Sequence, residues 1–141
     1  MSAHPLAKDC QLPIAHCPLH RATFVREDER GAFIEVINSG PWETVITGSM
    51  REGAVMGNHY HKKTRVFFFL TDGAASVELV HVESGARRSR TLESRQGLFL
   101  EANEAHAIRF RRDSRFLLLK SRGYSEDDPD TFPHRVTASI A

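Results

Sequence analysis

Two histidines separated by a single residue, His59 and His61, carry the strongest chemical signal in the chain. Residues two apart in an extended strand project from the same face, so both imidazoles would point to one side and Tyr60 to the other. A third histidine, His106, alternates with apolar residues along a later segment and so lies on an apolar strand face. Burying paired imidazoles on such a face without a use would cost free energy, which favours a functional role.

Imidazole is the side chain that accepts and donates protons near neutral pH, because its reference pKa is about 6.5. Several imidazoles around a small molecule could remove a proton from one atom and return it to another. The same nitrogens could bind metal, because three-histidine metal sites exist. We expect proton transfer without a cofactor, and the alternative is one divalent metal ion held by His59, His61 and His106.

The rest of the chain must form β-structure to position these histidines. About nine runs of roughly 4 to 9 residues have the composition of strands, from HRATFVR at residue 20 to RFLLLK at the end of the series. Turn-forming residues separate them, and no amphipathic helix pattern precedes residue 122. The sequence therefore predicts an all-β sandwich or barrel.

Length and composition limit the chain to one ordinary domain, since it has 141 residues, 40% apolar and 26% charged. We predict an irregular N-terminal arm over residues 1–19, a barrel over 20–121, and a tail over 122–141 that packs on the barrel. The formal charge of +1 is too low for a typical nucleic-acid binder. Neither a membrane span nor a signal peptide is indicated, so we expect a cytoplasmic protein with a small-molecule substrate.

Cys10 and Cys17, together with His16 and His20, offer zinc-binding residue types near the N-terminus. Their spacing matches no common zinc motif. In a cytoplasmic protein, two reduced thiols are the preferred interpretation.

The segments Gly53–His61 and Gly97–His106 resemble the two motifs of the cupins, a superfamily of double-sheet β-barrels. Asn103 stands in the second motif where a glycine is expected, and asparagine tolerates the positive φ of such a turn. The resemblance implies a double-stranded β-helix, or jelly-roll, barrel whose open mouth holds the three histidines.

Three segments carry a closer resemblance, to nucleotide-sugar 3,4-ketoisomerases and to the cupin domain of capsular polysaccharide reductases. They are Glu29–Gly31, the run Gly57-x-His59-x-His61-Lys62-Lys63, and the tail from Ser121 to Thr131. This resemblance implies an isomerase or epimerase that moves a proton beside the ketone of a nucleotide-linked sugar. The three histidines would be its catalytic acids and bases.

Two departures from these families leave alternatives open. Metal-binding cupins have a glutamate where this chain has Arg65 and Val66, and a carboxylate is a common metal ligand. Ketoisomerases have an arginine where this chain has Met56, and arginine suits a diphosphate. The chain could instead be a cyclase that closes a ring on a polyketide or similar natural product, or a non-catalytic cupin that binds a small ligand.

Further expectations concern the surroundings of the site. Arg65, Trp42 and Glu101 are expected to contact the substrate. The run Val66–Leu70 is apolar on both faces, so its second face needs cover by another sheet or a partner subunit, and a homodimer is the simplest cover. The arginine-rich stretches at 87–90 and 109–115 are interpreted as solvated strand edges.

Overall fold

The computed structural model describes residues 18–137, which form twelve β-strands and no helix. Cys10 and Cys17, interpreted as reduced thiols, and His16 lie outside these residues. The strands are β1 (His20–Arg21), β2 (Phe24–Asp28), β3 (Gly31–Glu35), β4 (Thr44–Met50), β5 (Val55–Tyr60), β6 (Val66–Asp72), β7 (Ala74–His81), β8 (Arg87–Glu93), β9 (Gln96–Leu100), β10 (Glu104–Phe110), β11 (Ser114–Lys120) and β12 (Phe132–Pro133).

Ten of these strands form two five-stranded sheets, and β2 and β3 pair with each other as a separate hairpin. The strand orders are β1-β9-β6-β11-β4 in the first sheet and β12-β5-β10-β7-β8 in the second. All pairings are antiparallel. The predicted all-β jelly-roll barrel is confirmed.

The main core lies between the two sheets, because each strand turns one apolar face inward. Alternate residues of β6 and β9 meet alternate residues of β7 and β10 there, and their side chains are almost fully buried. The core residues include Val66, Phe68, Leu70, Val77, Leu79, Leu98, Leu100, Ile108 and Phe110.

The opposite face of β6 carries Phe67 and Phe69, which are also buried. Residues of the same chain cover them, from β9, β11 and the segment 22–42, including Trp42 and Phe99. Of the two covers expected for this face, another part of the same chain is the one observed, so a partner subunit is not needed here. The homodimer itself stays a prediction.

Strand β5, which carries His59, was not among the runs of strand-like composition, because Gly57, Asn58 and His59 interrupt its apolar residues, although the spacing of His59 and His61 indicated an extended backbone there. The tail approaches the barrel here, since Phe132 and Pro133 of β12 pair with Tyr60 and His59. The domain limits at 19/20 and 121/122 stay a prediction. Among residues 18–137, no helix has the length and apolarity that membrane crossing requires.

Candidate active site

The structure brings the three predicted histidines together on the inner face of the second sheet. The ring of His59 lies 4.8 Å from that of His106 and 5.1 Å from that of His61, measured between centroids. One ring nitrogen from each histidine lies within 4.8 Å of those of the other two. His61 and His106 are buried, and His59 is partly exposed.

A β-bulge in β5 aligns His59 with His106. The two residues are directly paired, but the next pair joins Ala107 to Gly57, so Asn58 is the extra residue. Gly57 has a φ of +105°, and a Cβ there would lie 2.6 Å from the carbonyl oxygen of His106. Only glycine fits this place, which explains the glycine two residues before His59.

The tail holds the bulge in shape. Asn58 has a φ of +60°, and its side-chain oxygen accepts hydrogen bonds from the backbone N–H groups of Val136 and Thr137. The backbone carbonyl oxygen of Asn58 accepts a further hydrogen bond from the backbone N–H of His134. Side-chain hydrogen bonds of this kind stabilise a left-handed asparagine against relaxation of the strand.

The tail also sets the tautomer of His61, that is, which ring nitrogen carries the hydrogen. Its Nδ1 lies 2.7 Å from the carbonyl oxygen of Asp130, in a buried contact. A carbonyl oxygen only accepts, so Nδ1 carries the hydrogen and donates it. In neutral His61 the lone pair is therefore on Nε2, the nitrogen that is free to take up a proton or bind a metal.

The Asp130 carboxylate anchors the loop that follows His61. It accepts hydrogen bonds from the backbone N–H groups of Lys62, Lys63 and Thr64, and from the Thr64 hydroxyl at 2.7 Å. Burial alone would raise the pKa of Asp130, but these hydrogen bonds outweigh it and lower the pKa to about 2. From the sequence, Asp130 was identified only as part of the tail resemblance and was assigned no role.

The environment of the other two histidines keeps them neutral. Burial, followed by repulsion from His59 and His61, lowers the pKa of His106 to about 3. Burial, then repulsion from His61 and from the Lys120 ammonium, lowers the pKa of His59. Both imidazoles therefore have unprotonated nitrogen at neutral pH.

Lys120 was not among the predicted site residues. It alternates along β11 with Phe116 and Leu118, which pack on the inner core, so it belongs to the same inward face. Its effect on His59 shows that its charge reaches the site. Strand alternation in RFLLLK was the signal that could have identified it.

The structure places Arg65, Glu101 and Trp42 around Phe99, on the outer side of the first sheet. Arg65 binds the carboxylate of Glu101 through two hydrogen bonds of 2.9 and 3.0 Å, and its guanidinium lies 4.0 Å from the Phe99 ring centroid. Trp42 stacks on Phe99 at 6.3 Å. These residues are together, but they are not in the histidine cluster.

The three histidines also fit a divalent metal ion in their chemistry. Imidazole nitrogens are good ligands for zinc and similar ions, and the low pKa values of His59 and His106 remove competition from protons. Among residues 18–137, Nδ1 of His106 is buried and finds no hydrogen-bond partner. A bound ion would be held by the three imidazoles and would polarise a carbonyl group of the substrate.

A jelly-roll barrel with two histidines from one strand segment and a third from the neighbouring strand of the same sheet matches the arrangement expected from the resemblance to cupins. Residues 26–132 match the sequence profile of the polysaccharide biosynthesis C-terminal domain. This match covers most of the chain, which therefore belongs to that family. No curated protein sequence is significantly similar to the chain.

Several solved structures share the fold. A 3,4-ketoisomerase from Helicobacter canadensis has a TM-score of 0.68 at 19% identity, over 84% of this chain and 90% of that chain. ChmJ, a 3'-monoepimerase from Streptomyces bikiniensis in complex with dTDP-quinovose, also has 0.68 at 19% identity, over 82% and 69%. The capsular polysaccharide assembling protein CapF from Staphylococcus aureus has 0.63 at 20% identity, over 86% and 34%. The chain thus spans about a third of the length of CapF.

Replacing Asp130 with asparagine tests the loop anchor. Above pH 4 the charged side chain stabilises the fold, because its pKa falls from 3.8 unfolded to about 2 folded, and this contribution is lost as pH falls through 2. We expect Asp130→Asn to lower the free energy of unfolding at pH 7 by about 2 kcal/mol. The difference from wild type should shrink between pH 4 and pH 2, measured by urea unfolding.

The matched control is Asp127→Asn, which changes an exposed carboxylate in the same segment. It should alter stability by less than about 0.5 kcal/mol. An Asp130→Asn effect of equal size at pH 7 and pH 2 would show that the charge is not what anchors the loop.

Proposed function

We propose that the chain is a cupin isomerase or epimerase that moves a proton beside the carbonyl group of a nucleotide-linked keto sugar. The observation that carries this proposal is the convergence of His59, His61 and His106 on the inner face of the barrel. Family membership and the shared fold with proteins named as a ketoisomerase and an epimerase support it.

His61 is the best placed base. Its Nε2 lone pair takes the proton from the carbon next to the ketone, the C–H electron pair becomes a carbon–carbon double bond, and the carbonyl oxygen gains negative charge. The Nδ1–H bond to the Asp130 carbonyl orients the ring and stabilises the imidazolium that forms. Epimerisation follows if a proton from solvent adds to the opposite face of that carbon and His61 releases the proton it took. Ketoisomerisation follows if His61 returns the proton to the former carbonyl carbon, while the neighbouring hydroxyl loses its proton to become the new ketone and the former carbonyl oxygen gains one.

The neighbouring groups stabilise the intermediate. His106 stays neutral at pH 7 because its pKa is about 3, so it serves through hydrogen bonding and not as a proton source. His59 is partly exposed and can exchange protons with solvent. The positive charge of Lys120 favours a negative oxygen in the same space.

A cavity of about 320 Å³ offers a place for the nucleotide part of the substrate. It is lined by Arg65, Arg88, Phe99 and Glu101 together with Pro18, Leu19 and His20. Arg88 is on an inward strand face and Phe99 on an outward one, so the cavity runs along the sheet edge from the barrel to its outer side. That Arg65, Trp42 and Glu101 contact the substrate remains a prediction. The part they would contact is the nucleotide, which would extend out of the barrel.

The other candidate functions have weaker support. Neither the fold nor the similarities reported above favour a cyclase. A non-catalytic ligand-binding cupin is the result to expect if ligand binds without proton exchange. The cytoplasmic location remains an expectation.

We also propose that the chain forms a homodimer through the β2–β3 hairpin. The hairpin exposes Phe24, Val25 and Phe33, and β4, at the edge of its sheet, exposes Val45 and Ile46. An isolated two-stranded hairpin is marginally stable, and open apolar edges favour pairing. In a two-fold dimer the hairpin of each copy would cover the β4 edge of the other.

Removing the base should abolish catalysis with little effect on binding. We expect His61→Ala to lower kcat by at least about a hundredfold with a dTDP-linked 4-keto sugar, since a general base contributes on that scale. Exchange of the sugar C–H with solvent deuterium, followed by NMR, measures the step directly. His134→Ala, on the outer side of β5 against Tyr60, is the control. Full turnover by both His61→Ala and His59→Ala would refute the mechanism.

Metal content distinguishes the two roles considered for the histidines, proton transfer without a cofactor and metal binding. We expect substoichiometric zinc, iron, nickel and manganese in protein purified without chelator or affinity tag, measured by elemental analysis. Catalysis should survive dialysis against a chelator. One equivalent of a metal ion, with activity lost on its removal, would instead assign the three histidines to a metal site.

The dimer is tested by size-exclusion chromatography with light scattering. Wild type should have the mass of two chains, and Phe33→Asp, which places a charge on a 58% exposed phenylalanine, should have the mass of one. Ser89→Asp on the exposed side of β8 should leave the mass unchanged. A monomeric wild type, or a dimeric Phe33→Asp, would contradict the proposed interface.

A further inference from the structure

A charged pair lies on the same inner face as the histidines. Glu104 precedes His106 by two residues on β10 and is 8% exposed. Its Oε2 accepts a hydrogen bond of 2.5 Å from the Arg88 guanidinium. Arg88 is opposite Leu79, an inner core residue, so it too faces inward. The expectation that Arg88 belongs to a solvated strand edge is therefore wrong, because its side chain is largely buried.

The other carboxylate oxygen, Oε1 of Glu104, is buried and has no hydrogen-bond partner within the described part of the chain. Nδ1 of His106 is in the same condition. A buried charged acceptor without a donor is costly, by about 1–3 kcal/mol or more. Two buried polar atoms without partners on one strand face, belonging to residues whose Cα atoms are about 7 Å apart along the strand, indicate that a polar ligand completes them.

Arg88 fixes which oxygen is available. Because the guanidinium occupies Oε2, the carboxylate presents Oε1 in one orientation. An ionised carboxylate only accepts hydrogen bonds, so the missing partner must be a donor. The groups of a sugar that donate are its hydroxyls, and one ring can reach from His106 to Glu104.

We propose that Glu104, held by Arg88, is a specificity-determining residue that accepts a hydrogen bond from a sugar hydroxyl of the substrate. This inference rests on the proposed function and names the part of the substrate that the site recognises. With that hydroxyl fixed at Oε1, the carbon that loses its proton is held over the histidines. Sugars without a hydroxyl at this position would leave the carboxylate unpaired and bind weakly.

Glu104→Gln tests the proposal with little change in size. Arg88 needs an acceptor, so the glutamine turns its amide oxygen to the guanidinium and places its NH₂ group where Oε1 was. The sugar hydroxyl can then no longer donate to a carboxylate and must turn to accept from a neutral amide, so the charge-assisted hydrogen bond is lost. We expect at least tenfold weaker binding of dTDP-glucose and UDP-glucose, and unchanged binding of dTDP and UDP, measured by isothermal titration calorimetry.

Glu78→Gln is the matched control, because Glu78 of β7 pairs with Arg87 of β8 on the outward face of the same sheet. It should leave all four affinities unchanged. Glu104→Asp is a second variant in case Glu104→Gln folds poorly. It keeps the charge but withdraws the carboxylate by about 1.5 Å, so it should also weaken the sugar nucleotides selectively.

The outcomes separate this inference from the proposed function. If wild type binds neither sugar nucleotide, the proposed function fails and the inference fails with it. If wild type binds them and both Glu104 variants bind equally well, the inference alone is overturned. If the variants lose dTDP and UDP to the same degree, Glu104 acts on the nucleotide or on the fold, which also overturns it.

Discussion

The site depends on one buried carboxylate, that of Asp130. A charge can be buried only if hydrogen bonds replace its water, and the loop after His61 supplies them from three backbone N–H groups and the Thr64 hydroxyl. The same residue uses its carbonyl oxygen to hold His61. Loop shape and imidazole orientation are thus fixed together, by a residue 69 positions away in the chain.

This arrangement explains what the sequence could and could not predict. The alternation that places His59 and His61 on one face is a local property of a strand, and so is the inward face of His106, Ile108 and Phe110. The contact of Asp130 with the loop joins distant segments and has no local pattern. The pairing of His59 with His106 also depends on which strands are neighbours and on a one-residue bulge.

Some local signals were available but assigned differently. Glu104 alternates with His106 and so shares its face, but it was not among the predicted site residues. Arg65 precedes the inward Val66 and must face outward by the same rule, but its place in the cupin motif suggested the barrel mouth. Its two hydrogen bonds to Glu101 and its contact with Phe99 follow from that outward face.

The charge distribution of the barrel suits an intermediate that carries negative charge. Burial and mutual repulsion keep His59 and His106 neutral, so no imidazolium charge adjoins the proposed base, His61. Lys120 and Arg88 bring positive charge to the inner faces from opposite sheets, while Glu104 is bound by Arg88. The Glu104 carboxylate is balanced by Arg88, so an enolate oxygen formed near Lys120 would meet a cation and neutral imidazoles, whereas a cationic intermediate there would meet repulsion. The same balance favours removal of a proton beside a carbonyl over chemistry that builds up positive charge on the substrate.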